Sequence, residues 1–263
     1  MPSLSTLDYW APAVYFAIWF SPIIIYAFLT FSGLRKTYAR VEKDGGSKLL
    51  SKFLMEAYHY AITPIADFAA KRGITPNQVT FFSILLSALA GLLLAIGLPG
   101  FGAIVATSAS FFDLIDGMIA RKMNIESRFG KLFDSFADRA SEFFIFAGIL
   151  YLFRDNNVIF IPTIIALAGS FWGSYLSSLE REAGLQPGRS FMRRPERMVY
   201  LMVGLLLMNY VPDIRFSLLG SPIVIPAFTL TGAIWIISSL SMLAVFLRLK
   251  KIYQILELDS PQA

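Results

Sequence analysis

Residues 113–138 read DLIDGMIARKMNIESRFGKLFDSFAD, and the four aspartates in this stretch, Asp113, Asp116, Asp134 and Asp138, decide both the fold and the chemistry. Asp113 and Asp116 stand three residues apart and Asp134 and Asp138 four apart, so each pair shares one face of a helix. The flanking sequence is apolar enough for Phe101 to Arg121 and Phe129 to Phe153 to cross a bilayer. An ionised aspartate costs about 2.5–3.5 kcal/mol in such a segment even on insertion scales, so four together need compensation. A hard divalent cation, Mg²⁺ or Mn²⁺, provides it, because such ions take carboxylate oxygens. The chain has no cysteine and one histidine, which removes the softer donor sets. That histidine, His59, sits between Tyr58 and Tyr60 and reads as an interfacial aromatic neighbour.

Small residues accompany the acids. Gly117 and Ala120 fall four and seven residues after Asp113, leaving that helix face nearly bare, and Gly130 does the same four residues before Asp134. A flat ligand can approach the backbone there, with Arg121 at the membrane boundary able to grip a phosphate through two parallel hydrogen bonds. Ion pairing of the acids with Arg121, Arg128, Lys131 and Arg139 is the purely structural alternative.

The rest of the chain supplies the setting. Of 263 residues, 56% are hydrophobic and only 16% charged, which excludes a water-soluble domain with one ordinary core. Without cysteine there is no disulfide framework. A net charge of +5 favours anionic headgroups or phosphorylated substrates over nucleic acid, since no basic soluble domain is present to carry the latter. Besides the two spans around the aspartates, apolar stretches run over Trp10 to Phe31, Val79 to Leu98, Val158 to Leu179, Met198 to Val211 and Ile223 to Leu247, making seven expected spans. Between the first and second lies a segment near Ser51 to Arg72 whose apolar residues (Phe53, Leu54, Tyr58, Ala61, Ile65, Phe68) recur at helical spacing, as in an amphipathic helix on the membrane surface. Thr75-Pro76 reads as a helix cap followed by proline at the first helical position. Turns are expected at Gly97 to Gly102, at Asn156-Asn157 and from Pro212 to Pro222. Trp10, Trp172 and Trp235 read as lipid-facing or core residues, and Glu180 and Glu182 as partners for arginines. If the turn at Gly97 is external, twenty lysines and arginines fall on one side and Arg154 and Arg215 on the other. The amphipathic helix and C-terminus are then cytoplasmic.

The run Asp113-Leu-Ile-Asp116-Gly117-Met-Ile-Ala120-Arg121, eight residues, Gly130, three residues, Asp134, three residues, Asp138 resembles, at every fixed position, the signature of the CDP-alcohol phosphotransferase (CDP-alcohol phosphatidyltransferase) family. The likeness extends from Thr75-Pro-Asn-Gln-Val-Thr80 towards the C-terminus. It implies an all-α integral membrane fold, a six-helix bundle preceded by an interfacial amphipathic helix, with an active site open to the cytoplasm and homodimeric assembly. Trp10 to Phe31 lies outside that plan and reads as an extra N-terminal transmembrane helix. The expected organisation is therefore that helix in 1–34, a cytoplasmic linker with the interfacial helix in 35–74, the catalytic domain in 75–251 and a cytoplasmic tail in 252–263.

By the same resemblance, Asp113, Asp116, Asp134 and Asp138 hold two divalent cations and Asp138 is the general base. Gly117, Ala120, Arg121 and Gly130, with Asn77 and Thr80 nearby, surround the CDP moiety. The implied reaction moves a phosphatidyl group from CDP-diacylglycerol to an alcohol and releases CMP, in a bacterial or archaeal cell membrane. A cation transporter is the rival reading, but its acids belong at mid-membrane on several helices rather than at one end of two.

A second cluster, Arg189, Arg193, Arg194 and Arg197, suits the phosphate of a phosphorylated polyol. Arg193-Arg194-Pro195-Glu196-Arg197 resembles the Arg-Pro-Glu-Arg segment of the subfamily that uses inositol phosphate as acceptor. In that subfamily a lysine follows the Ser-Tyr pair by two residues, where Ser174-Tyr175 here is followed at that spacing by Ser177. Inositol phosphate is the favoured acceptor, with glycerol 3-phosphate or another alcohol as the alternative.

Overall fold

A computed structural model describes residues 6–34, 52–185, 192–218 and 221–258. Among these residues there are eight helices: α1 (Thr6–Phe31), α2 (Lys52–Lys71), α3 (Pro76–Ala95), α4 (Pro99–Met123), α5 (Arg128–Leu152), α6 (Asn157–Glu182), α7 (Arg194–Leu207) and α8 (Phe228–Leu258). A short antiparallel hairpin, β1 (Ile214–Leu218) with β2 (Ser221–Ile225), precedes α8. The helices fall into two compact units. One gathers α1 to α5 with Leu205–Tyr210, the other α6, α7 up to Gly204, the hairpin and α8.

Five helices are long and apolar enough to span a membrane: α1, α3, α4, α6 and α8, the last through Ile255. The protein is thus an integral membrane protein, and two of the seven expected spans do not meet the criterion. In α5 the first four turns carry Arg128, Lys131, Asp134, Asp138, Arg139 and Glu142, so its apolar part is confined to the second half. Helix α7 has 14 residues, a rise of roughly 21 Å against a hydrocarbon core of about 30 Å. The hairpin is a further departure. Ile223, expected to open the last span, pairs with Phe216 in the sheet, and Pro222 and Pro226 withhold the N–H groups that an earlier helix start would need. Asp213 accepts the Ala227 N–H at 3.0 Å and joins the hairpin base to the start of α8.

Helix starts follow local chemistry. Pro76 opens α3, with the Thr75 N–H donating to Gln78 Oε1 at 2.9 Å. Asn156, in the expected turn, caps α6 by accepting the Val158 N–H at 3.0 Å. Gly97, at φ +84, ends α3 in the left-handed conformation that lets the chain reverse into α4.

In the first unit α3 lies against both α4 and α5, and α2 against α4. A Cβ on Gly148 would stand 2.4 Å from the Gly91 carbonyl oxygen, so α3 and α5 touch backbone to backbone. Helix α2 buries Ile62, Ala66 and Ala69 against Val79 of α3 and Ile115, Met118 and Ile119 of α4. Ile65 and Phe68, two of the residues read as its apolar stripe, are exposed, which leaves a second apolar face for lipid. In the second unit α6 packs on α8, where the expected role of Glu180 is met by an ion pair with Arg248.

The α3–α5 contact predicts that Gly148→Val lowers stability by about 1–3 kcal/mol, because backbone rather than a flexible side chain must yield. Thermal unfolding of the detergent-solubilised chain measures this. Gly232→Ala, where the added methyl meets nothing within 4 Å, leaves the midpoint unchanged or slightly higher.

Candidate active site

The end of α4 and the start of α5 are joined by a loop whose geometry is set by two local devices. Asn124, at φ +54, terminates α4 in the left-handed region, and the Ile125 N–H returns to the Ala120 carbonyl at 3.1 Å. Three residues later the Ser127 hydroxyl accepts the Gly130 N–H at 2.9 Å and caps α5. This tight crossover carries Asp134 back towards Asp113 and Asp116. Carboxylate oxygens of Asp113, Asp116 and Asp134 all lie within 4.8 Å of one another. At that separation each pair of like charges repels by roughly 3 kcal/mol at an effective dielectric of about 20.

Asp116 is the innermost of the three acids. It is 5% exposed, and Thr80, 3% exposed on α3, donates to its Oδ2 at 2.5 Å while the Gly117 N–H meets its Oδ1 at 2.5 Å. Each oxygen has a donor, so the carboxylate is held in one orientation. Thr80, expected near the nucleotide, here directs its hydroxyl to Asp116. Asp138 stands one turn further along α5, outside the group of three, with its Oδ2 3.9 Å from Arg139 Nη1.

The small residues have defined neighbours. A Cβ on Gly117 would come within 3.2 Å of Arg121 Nη1, so the guanidinium folds back along the bare face of α4. On Gly130 it would meet Ser127 Oγ at 3.0 Å and Asn77 Oδ1 at 3.5 Å, which puts the first turn of α3 beside the first turn of α5. Ala120 is half-buried on the α4 face between Gly117 and the loop. Asn77, Thr80, Gly117, Ala120, Arg121 and Gly130 thus belong to the same unit as the acids. The expectations did not include Ser127, although serine just before a helix start is a readable cap. Nor did they include the ion pair between Lys122 of α4 and Asp67 of α2, which has no local signal.

The arginine cluster lies in the second unit. Arg189 is outside the described residues. The Arg193 backbone N–H donates to Glu196 Oε2 at 2.9 Å, forming part of the α7 cap, and Arg194 opens that helix half-buried. Arg197 is 6% exposed, with Nη1 donating to the Met192 carbonyl and Nη2 to Ser170 Oγ, both at 2.9 Å. Arg248, from α8, donates to Ser177 Oγ at 2.9 Å and to the Gly173 carbonyl at 3.0 Å while pairing with Glu180.

Residues 73–242 match the family model described as CDP-alcohol phosphatidyltransferase. The chain belongs to that family. As a CDP-alcohol phosphatidyltransferase it is a transferase of phospholipid synthesis, which sets aside the transporter reading. It is 29% identical over 209 residues to the phosphatidylinositol phosphate synthase of Streptomyces avermitilis, covering 77% of this chain and 82% of that protein. With the synthase of Mycolicibacterium smegmatis it shares 29% over 196 residues, 73% of this chain and 83% of the relative. Among solved structures it resembles the Mycobacterium tuberculosis phosphatidylinositol phosphate synthase with CDP-DAG bound. There the TM-score is 0.62 at 27% identity, over 73% of this chain and 93% of the other. The complex of that enzyme with manganese and citrate gives the same score and identity, covering 88% of its chain.

For this CDP-alcohol phosphatidyltransferase the Thr80–Asp116 bond yields a direct expectation. Thr80→Val keeps the shape but strands a buried carboxylate oxygen, at a cost of about 1–3 kcal/mol in unfolding free energy. Thr80→Ser keeps the donor and stays close to the parent in the same thermal-unfolding measurement.

Proposed function

We propose that this enzyme transfers a phosphatidyl group from CDP-diacylglycerol to a phosphorylated polyol, with inositol phosphate as acceptor, and releases CMP. The observation that carries this reading is the cluster of Asp113, Asp116 and Asp134 carboxylates within 4.8 Å, on helices of the family-matched region. The donor set is oxygen only, in a chain without cysteine, and it fits Mg²⁺ or Mn²⁺. Asp113, Asp116 and Asp134, with Asp138 one turn along, would hold two such cations, whose charge would neutralise the diphosphate. Solved relatives with CDP-DAG and with manganese support both assignments.

The chain's own residues divide the remaining work. Gly117, Ala120 and Gly130 leave backbone open to the nucleotide, Asn77 and Thr80 border it from α3, and Arg121 grips a phosphate oxygen. Asp138 accepts the proton of the attacking hydroxyl. The new P–O bond forms to the phosphorus bearing the diacylglycerol, the anhydride P–O bond breaks, and CMP leaves with the electron pair. Lysine and arginine asymmetry favours a cytoplasmic site, and the family reading sets it in a bacterial or archaeal membrane. In this reading the fold is the family's six-helix bundle, with α2 as the interfacial helix and α1 as an added span, acting as a homodimer.

For the acceptor, support comes from the relatives named phosphatidylinositol phosphate synthase and from the arginines of the second unit. Arg248 places a cation beside Ser177, the position where the subfamily resemblance leads to lysine.

The full chain, purified with CDP-diacylglycerol and Mn²⁺, releases CMP on addition of inositol phosphate and gives the corresponding lipid by mass spectrometry. Product only with glycerol 3-phosphate reassigns the acceptor, and CMP release that persists with EDTA removes the metal role. Asp138→Asn retains metal-dependent CDP-lipid binding and loses about 10²–10⁴-fold in turnover; near-normal turnover overturns its role as base. Arg194→Ala raises the acceptor KM about tenfold, roughly one charge-assisted hydrogen bond, at unchanged KM for the CDP-lipid.

A further inference from the structure

Helix α1 precedes the family-matched region, yet it is tied along its length to the helix that carries Asp113 and Asp116. At one end Asp8, fully buried, accepts the N–H groups of Phe101 at 2.9 Å and Gly100 at 3.3 Å, so a side chain of α1 caps the open N-terminus of α4. Gly100 is required for this contact, because a Cβ there would stand 1.9 Å from the Asp8 carbonyl oxygen. Further along, Tyr15 Oη lies 2.8 Å from Ser108 Oγ of α4. The Trp19 ring then packs 5.9 Å, centroid to centroid, from Phe111, two residues before Asp113, and 5.2 Å from Tyr58 of α2. At the other end Tyr26, fully buried, donates to Glu56 Oε2 of α2 at 3.0 Å. Helix α2 in turn buries Ile62 and Ala66 against Ile115 and Ile119, one residue before and three after Asp116.

We propose that α1 is a positioning element of the metal centre: Asp8 sets where α4 lies along its axis, and Trp19, against Phe111 and Tyr58, sets the rotation of its carboxylate-bearing end. Neither residue touches substrate or metal. The carboxylates repel one another, so their spacing depends on how firmly α4 is held, and Asp8 and Trp19 act on that spacing from outside the site. The proposal rests on the reading of Asp113, Asp116 and Asp134 as metal ligands.

The test is direct Mn²⁺ binding to the full-length chain in detergent, read from the free-ion paramagnetic resonance signal, beside thermal unfolding and CMP release. Asp8→Ala and Trp19→Leu each weaken Mn²⁺ binding several-fold and shift the metal dependence of CMP release by the same factor, while turnover at saturating Mn²⁺ stays within about twofold. Asp8→Asn, which keeps an oxygen to cap Phe101, and Trp19→Phe, which keeps a ring against Phe111, bind Mn²⁺ as the parent does. Lower unfolding temperatures with unchanged Mn²⁺ affinity in both disruptive variants overturn the proposal and leave α1 a purely structural span. A parent chain that releases CMP but binds no Mn²⁺ overturns the metal reading itself, and this proposal with it.

Discussion

Mutual repulsion among three carboxylates on adjoining helices is the constraint on which the rest of this structure depends. Asp113, Asp116 and Asp134 are held within 4.8 Å although each pair costs roughly 3 kcal/mol, an expense that only the surrounding packing or bound cations offset. The local architecture answers that cost. The crossover from Asn124 to Ser127 is short and closed by hydrogen bonds at both ends, Thr80 and the Gly117 N–H hold the innermost carboxylate, and α3 presses on α5 through Gly91 and Gly148. Glycine appears where approach must be closest, and its cost to helix propensity is the lesser term.

Apolar packing alone holds membrane helices weakly in register, because lipid tails compete equally well for leucine and phenylalanine. Polar contacts then acquire a large role. Asp8, Tyr15 and Tyr26 face protein, while Leu7, Trp10, Ile18, Ile24 and Phe28 on the same helix are exposed, so α1 presents lipid with one side and α4 and α2 with the other. Tyr210 adds to this, its hydroxyl accepting the Ala13 N–H at 2.8 Å and donating to the Tyr9 carbonyl, next to Pro12 where the helix ladder lacks a donor.

The grouping of three acids was legible because spacing and chemistry agree: a three-residue interval places Asp113 and Asp116 on one helix face, and the charge they share calls for a partner helix bearing Asp134. The departures have physical causes. Charge density in the first half of α5 and the shortness of α7 were visible as residues, but an apolar tally hides how they are distributed. The hairpin at Ile214–Ile225 arises from pairing across sequence, and Ile223 to Ile225 suit strand as well as helix until Pro222 and Pro226 are weighed. Helix α2 misled through a wide apolar surface. Ile65 and Phe68 are larger than Ala66 and Ala69, yet the small residues form the packed face because α4 comes close there.

Arg248 carries the same point into the chemistry of the acceptor. A family pattern read along the chain finds serine at 177 and registers a missing cation, whereas the fold returns a guanidinium to that serine from α8, 71 residues away. Its charge is shared with Glu180, and Arg197 of α7 is engaged with Ser170 of α6 and the Met192 carbonyl, so these arginines are oriented by hydrogen bonds within the protein. Pre-organised guanidiniums lose less entropy on meeting a phosphate than a flexible lysine does. In the proposed function, serine at 177 is therefore compatible with a phosphorylated acceptor, since a phosphate answers to charge held at a place in space, whichever helix delivers it.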